Sequence, residues 1–203
     1  MTKVSKATLI IFTRYPEAGK TKTRLISALG EEGAAQLQKK LTEHTLQEIS
    51  QLAVNCRIYF SGGNKTLMAN WLGESYQYYP QSEGNLGNRL INAIKESFNQ
   101  NITRIIIIGI DCPDLNAELI DQAFQALTQH DLVLGKAEDG GYYLIGLTGF
   151  YPQLFQGIDW GTHVVLQQTV AVAERMGLRI SYLPMLNDID TPEDLETVKL
   201  PWD

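Results

Sequence analysis

Four stretches of this sequence gather Gly, Asp, Lys and Arg in patterns that suit polyphosphate and cation chemistry. The first, Thr13-Arg-Tyr-Pro-Glu-Ala-Gly-Lys-Thr-Lys-Thr-Arg24, carries Arg14, Lys20, Lys22 and Arg24, four of the 17 basic residues of the chain. That density suits the oxygens of a diphosphate or triphosphate, with Gly19 letting backbone N–H groups turn toward them at the start of a helix. A Walker A loop is disfavoured: G-x-x-x-x-G-K-[ST] asks for glycine at position 14, where Arg14 stands. The plainer alternative is a solvated basic loop turning at Pro16 and Gly19.

The second stretch is Ser82-Glu-Gly-Asn-Leu-Gly-Asn-Arg-Leu90. Gly84 and Gly87 would allow a backbone to approach a flat ligand, with Arg89 in the first turn of the next helix, although glycines there also serve simply to turn the chain. The third, Gly109-Ile-Asp-Cys-Pro-Asp-Leu115, puts Asp111 at the end of a strongly apolar run. A carboxylate leaving a buried strand is costly unless paired or bound to a cation. Mg²⁺ takes one or two carboxylates plus substrate phosphate oxygens, and Asp111 suits that role or a ribose contact. Asp114 reads better as a turn cap. In the fourth, Leu186-Asn-Asp-Ile-Asp-Thr-Pro-Glu-Asp-Leu195, Thr191, Pro192 and Asp194 form a capping-box-like helix start. Asp188 and Asp190 precede it, and either could meet Asp111 across one ion. Stabilisation of the helix N-terminus explains Glu193 and Asp194 well, and Asp190 less well.

Two further segments lie between these. Lys136-Ala-Glu-Asp-Gly-Gly-Tyr-Tyr143 reads as a hairpin with an Asp-Gly turn, in which Asp139 could also hold an acceptor hydroxyl. Trp160, in the irregular stretch Ile158-Asp-Trp-Gly-Thr162, is either an acceptor wall or core. His44, His130 and His163 show no zinc-ligand spacing, and no G-x-S-x-G elbow is present, so zinc chemistry and a serine hydrolase are not supported.

The elements that must position these loops are apolar runs of strand length alternating with helical periodicity, the pattern of a mostly parallel sheet covered by helices. The predicted strands are 7–12, 56–60, 76–79, 104–110, 131–135, 142–147 and 179–183. Ala34, Leu37, Leu41, Thr45, Ile49 and Leu52 recur at helical spacing, as do Leu90, Ile91, Ile94 and Phe98. A third helix follows Asn116 as N-cap. The continuous run Arg104-Ile-Ile-Ile-Ile-Gly-Ile110 suits a central strand buried on both faces. In such sheets ligands sit outside the carboxyl ends of the strands, where the four stretches fall.

The 203 residues, 44% hydrophobic and 20% charged, suit one domain, 1–203, with no repeat or linker. A formal net charge of -6 argues against a broad nucleic-acid surface. Two cysteines give no disulfide framework, and no run reaches the roughly 20 apolar residues of a membrane span. With a polar Met1–Lys6 and a short apolar 7–12, these features lead to a cytoplasmic expectation.

Taken together, the basic loop, G-x-D-x-P-x-L, Asp-Gly-Gly and D-I-D-T-P-E-D-L resemble the GT-A nucleotide-diphospho-sugar transferase superfamily over almost the whole chain. Within it, F-T-R-Y-P-E-A-G-K-T-K-T-R-L, G-N-L-G-N-R-L and W-G-T are similar to a largely uncharacterised bacterial glycosyltransferase-like family, some members of which are assigned to arsenosugar biosynthesis. The resemblance implies a Rossmann-like GT-A fold, an α/β architecture with a mostly parallel, mixed central sheet and helices on both faces. It also implies a nucleotide over the first loop and Mg²⁺ or Mn²⁺ on the acids matching Asp111 and Asp190. Molybdenum-cofactor cytidylyltransferases and the guanylyltransferase of deazaflavin-cofactor synthesis share the scaffold and its motifs. Two departures stand out: Asp-Cys-Pro-Asp replaces the common Asp-x-Asp, and Gly161 stands where family members more often carry Ser.

The expectation is therefore glycosyl transfer from a nucleotide-diphosphate sugar to a small-molecule acceptor. Arg14, Gly19, Lys20, Arg24, Gly84, Gly87, Arg89 and Asp111 would bind the nucleotide, with Asp111 and Asp190 on the metal, Asp139 as general base and Lys20 also catalytic through its contact with the diphosphate. The alternatives are nucleotidyl transfer from a triphosphate clamped by Lys20 and Arg24, with pyrophosphate release, and a non-catalytic nucleotide-binding module.

Overall fold

A computed structural model describes residues 7–198 and 200 of the chain. In chain order its elements are β1 (Ala7–Arg14), α1 (Ile26–Ile49), β2 (Asn55–Ser61), α2 (Lys65–Leu72), β3 (Gln77–Pro80), α3 (Leu86–Asn99), β4 (Arg104–Ile108) and α4 (Ala117–Ala126). β5 (Leu132–Ala137), β6 (Tyr142–Leu147), α5 (Val165–Arg175), β7 (Ile180–Leu186) and α6 (Asp194–Thr197) follow. The seven predicted strands all form, with ends moved by a few residues. β1 runs on to Arg14, so that side chain leaves the sheet itself rather than the loop, whereas β4 stops at Ile108, short of the predicted 110.

All seven strands join one sheet in the order β3-β2-β1-β4-β6-β5-β7. β6 alone runs against its neighbours, pairing antiparallel with β4 and β5, while the β1, β2, β3, β4 and β5–β7 pairings are parallel. The order reverses at β1: the chain moves outward through β2 and β3, then returns to lay β4 on the other side. That reversal opens a crevice at the carboxyl ends of β1 and β4, the position where doubly wound sheets bind ligands.

Strand alternation divides the apolar side chains between two cores. Leu9, Ile11, Ile58, Phe60, Ile106 and Ile108 face Leu37 and Leu41 of α1, Met68 of α2 and Ile120 of α4. Ile10, Ile105, Ile107, Leu134 and Ile145 face Leu90 and Ile94 of α3 and Ala173 of α5. The Ile105–Ile108 run is thus buried on both faces, as its unbroken apolarity requires. The predicted cap of α4 forms, with Asn116 Oδ1 accepting from Leu119 N at 3.1 Å, whereas α6 starts at Asp194 behind Glu193 rather than at the predicted Thr191 cap.

The carboxyl end of β1 is fixed by buried polar side chains. Thr13 Oγ1 lies 2.9 Å from Thr42 Oγ1 and accepts from Gln38 Nε2 at 3.2 Å. Gln81 Nε2 donates to the carbonyls of Thr13 and Tyr59 at 3.2 and 3.0 Å, tying β1 to β2 where the sheet ends. The strand tips that must hold the loops are therefore pinned by hydrogen bonds as well as by packing.

Candidate active site

Beyond β4, the segment containing Asp111 meets the segment between β7 and α6. Ile189 N donates to the Asp111 carbonyl at 2.9 Å, which joins the two backbones. Asp111, Asp139, Asp188 and Asp190 consequently line one cleft of about 250 Å³. Asp139 arrives from the β5–β6 hairpin, where Gly140 takes φ 87° and Gly141 N donates to Asp139 Oδ1 at 2.7 Å, an Asp-Gly turn of the expected kind. The other wall is apolar and aromatic, with Leu86, Tyr143, Trp160 and Val165.

Asp188 bears the cost of this crowding. Its carboxyl is pushed up to about 6, first by burial and then by the charges of Asp139, Asp194 and Asp111. Asp194 is held below the usual range against its own burial, because its carboxylate accepts from the backbone N–H groups of Asp190 and Thr191 at 2.9 and 2.7 Å. The reach of Asp194 back to Thr191 N supplies half of the expected capping box.

The basic loop delivers two cations to this cluster. Lys22 Nζ lies 2.5 Å from Asp111 Oδ1 with its side chain only 4% exposed, and it also donates to the Ile189 carbonyl. Lys22 reaches this place in a left-handed conformation, φ 46°, immediately before the 3-10 turn Thr23–Leu25. Arg24 Nη1 donates to Asp190 Oδ2 at 2.6 Å from a more exposed position. The arc from β1 is thereby stitched to the acids from the middle and the end of the chain.

The remaining predicted residues are distributed around this junction. Arg14 is exposed at the end of β1, and Gly19 turns the loop at φ 74°. Lys20 is 63% exposed and pairs at 2.7 Å with Glu17 of its own loop. Gly84 adopts φ 101°, and Arg89 Nε donates to the Gly84 carbonyl at 2.9 Å. Gly87 sits in the first turn of α3 with its Cα against Trp160: an added Cβ would meet the indole Nε1 at 2.7 Å. That contact seats Trp160 in the cleft wall, where Tyr142 packs edge-on to it with centroids 6.3 Å apart.

Two positioning residues carry weak sequence signals. Lys22 is one basic residue among four until the fold buries it. His44 Nε2 lies 2.8 Å from the Pro113 carbonyl, an acceptor, so that nitrogen carries the proton and steadies the loop holding Asp111. Cys112 lies in the same loop; burial foremost and then the neighbouring aspartates push its thiol far up, which leaves it protonated and unreactive.

The donor set fits a divalent cation. Two carboxylates on joined loops, beside a basic arc suited to phosphate, match the Mg²⁺ preference for few protein ligands plus phosphate oxygens. Among the described residues no group of three or more His, Cys, Asp or Glu is arranged to hold an ion.

The family model described as "Uncharacterized protein conserved in bacteria (DUF2064)" matches residues 45–162. The structure is similar to a putative nucleotide-diphospho-sugar transferase from Desulfovibrio desulfuricans G20, at 35% identity and TM-score 0.90, covering 95% of this chain and 86% of that one. CMP:2-keto-3-deoxy-manno-octonic acid synthetase, solved with CTP, aligns at 11% identity and TM-score 0.60 over 95% of this chain and 96% of that one. Rv0371c of Mycobacterium tuberculosis H37Rv, solved with manganese, aligns at 11% identity and TM-score 0.59 over 95% and 97%. At such identities the last two show the fold alone. No protein with a curated description matches the sequence.

Proposed function

Because the chain belongs to the bacterial DUF2064 family and has the fold of nucleotide-binding transferases, we propose that it is a metal-dependent glycosyltransferase using a nucleotide-diphosphate sugar. The observation that carries this reading is the junction of Asp111 and Asp190 with Lys22 and Arg24 at the carboxyl ends of β1 and β4. The 35% identical Desulfovibrio protein, named for the same chemistry, supports it.

In this reading Arg14, Gly19, Lys20 and Arg24 receive the diphosphate, and the Gly84–Arg89 turn borders the nucleoside. Asp111 and Asp190 would hold Mg²⁺ or Mn²⁺, which would supply charge neutralisation for the leaving diphosphate. Lys22 and Arg24, already paired with the two carboxylates, add positive charge on the side where the leaving diphosphate gains negative charge. Asp139 faces the cleft from the hairpin and accepts the acceptor hydroxyl proton. Domain boundaries at 1–203 and a cytoplasmic location belong to the same proposal; among the described residues no helix is long and apolar enough to cross a membrane.

The rival is nucleotidyl transfer, in which Lys20 and Arg24 grip a triphosphate and pyrophosphate leaves. A thermal-shift panel of UDP-, GDP- and CDP-sugars and free triphosphates, with and without Mn²⁺, separates the two. A ligand at 100 times its dissociation constant stabilises by about 2.7 kcal/mol. At about 2–4 °C per kcal/mol for a chain of this size, that is roughly 5–11 °C. Mn²⁺-dependent stabilisation by a nucleotide sugar is expected. Stabilisation by triphosphates alone sinks glycosyl transfer, and no response to any nucleotide points to a different role outside nucleotide chemistry.

A further inference from the structure

We infer that the acceptor is a small hydroxyl compound without a phosphate or carboxylate, laid on the aromatic and aliphatic wall of the Asp139 cleft. The inference rests on the glycosyl-transfer reading and adds the chemical class of its second substrate. Four carboxylates line the cleft, and no Lys, Arg or His stands among its lining residues. Lys22 and Arg24 are paired with two of the four, Asp111 and Asp190.

Charge arithmetic decides what can enter. Asp111, Asp139, Asp188 and Asp190 total four negative charges against the two positive charges of Lys22 and Arg24. A divalent cation would offset the charge of a donor diphosphate, and Arg14 and Lys20, placed on that diphosphate, are not among the residues lining the cleft, so Asp139 and Asp188 have no Lys, Arg or His beside them in its wall. Like charges brought into contact repel, and a cleft that excludes water screens them little. A phosphorylated acceptor would meet Asp139 and Asp188 with nothing to offset that repulsion.

The opposite wall offers something to bind. Trp160 is fixed between Gly87 and Tyr142, and Leu86 and Val165 extend the apolar face beside it. Leu86 is 42% exposed, an apolar side chain left open at the mouth. A flat face, a sugar ring or an aromatic group, covers this wall while its hydroxyl turns toward Asp139. The cleft, at about 250 Å³, limits the acceptor to a small molecule. In the transfer, the acceptor oxygen bonds to the anomeric carbon of the donor. The bond from that carbon to the diphosphate oxygen breaks, its electron pair leaves with the nucleoside diphosphate, and the hydroxyl proton passes to Asp139.

The test compares phenyl β-D-glucopyranoside with phenyl phosphate, which share the ring and differ in the anion. Each is titrated into the full-length protein with Mn²⁺ present, following the ¹⁵N-indole resonance of Trp160 assigned with Trp160→Phe. The glucoside should shift that resonance with a dissociation constant at least tenfold below that of phenyl phosphate, and Asp139→Asn should shrink the ratio at least threefold. Equal or tighter binding of phenyl phosphate at Trp160 overturns the inference, as does silence of Trp160 toward both compounds. The nucleotide panel reads the donor site separately: metal-dependent nucleotide binding together with a preference for phenyl phosphate would overturn the acceptor class alone.

Discussion

The sharpest prediction concerns Lys22→Met, which keeps an unbranched apolar stem one atom shorter and removes the ammonium. The Lys22 ammonium is 4% exposed and lies 2.5 Å from Asp111, so the substitution strips a carboxylate of its partner and an Ile189 carbonyl of its donor. Breaking a fully buried ion pair costs about 3–5 kcal/mol. Asp111, however, is 45% exposed and regains water on its open side. The loss should therefore fall to that of a hydrogen bond to a charged group, about 1.5–3 kcal/mol. For a chain of this length the melting temperature drops by roughly 3–12 °C. The assay is differential scanning calorimetry of wild type, Lys22→Met, Asp111→Asn and the double variant, without metal or nucleotide. The double variant should lose at least about 1 kcal/mol less than the sum of the singles, because both changes remove one interaction. A Lys22→Met melting point within about 1 °C of wild type, with additive singles, would refute the reasoning.

Gly87→Ala should disturb the cleft wall: its Cβ would press first on the Phe155 backbone carbonyl and then on the Trp160 indole, so α3 and the Phe155–Trp160 segment must move apart and near-ultraviolet circular dichroism changes while the far-ultraviolet spectrum is retained. Asn116→Ala removes the cap of α4 and should cost about 1 kcal/mol in urea unfolding, with an unchanged m value. Asp131 and Arg179 pair at 3.0 Å on the surface, and the guanidinium holds the Asp131 carboxyl below its ordinary 3.8. The pair's stabilisation is therefore present above that value and lost as pH falls through the lower folded one; the Asp131→Asn melting-point deficit should vanish at pH 2 and shrink in high salt. Burial raises Cys56 to about 11 and Cys112 further, so a disulfide-exchange reagent at pH 8 should label the native protein slowly and both thiols fully in urea.

Strands were legible in the sequence because burial on both faces demands unbroken apolar runs such as Ile105–Ile108, and because the glycine pair after Asp139 marks a hairpin. The antiparallel placement of β6 between β4 and β5 was not, since strand order depends on which faces pack once the helices are in place. Helix α1 showed its period, although Gly30 interrupts it at φ 72°. The shorter α2 buries only Met68, too little to print a pattern of its own. At the candidate site the aspartates stood out because carboxylates at strand ends need a reason. Lys22 did not, because an ammonium becomes buried only when a left-handed turn and a distant carbonyl close over it. The same holds for His44, whose partner lies 69 residues away.

The central claim is that acids from the middle and the tail of the chain share one cation beside the basic arc. Crystals grown with MnCl₂ and the nucleotide sugar that gives the largest thermal shift would test it by anomalous diffraction at the manganese edge. The account predicts a peak bonded by the carboxylates of Asp111 and Asp190 and by oxygens of the diphosphate. A bound nucleotide whose manganese is held by other side chains, or that binds with no manganese at all, would contradict it.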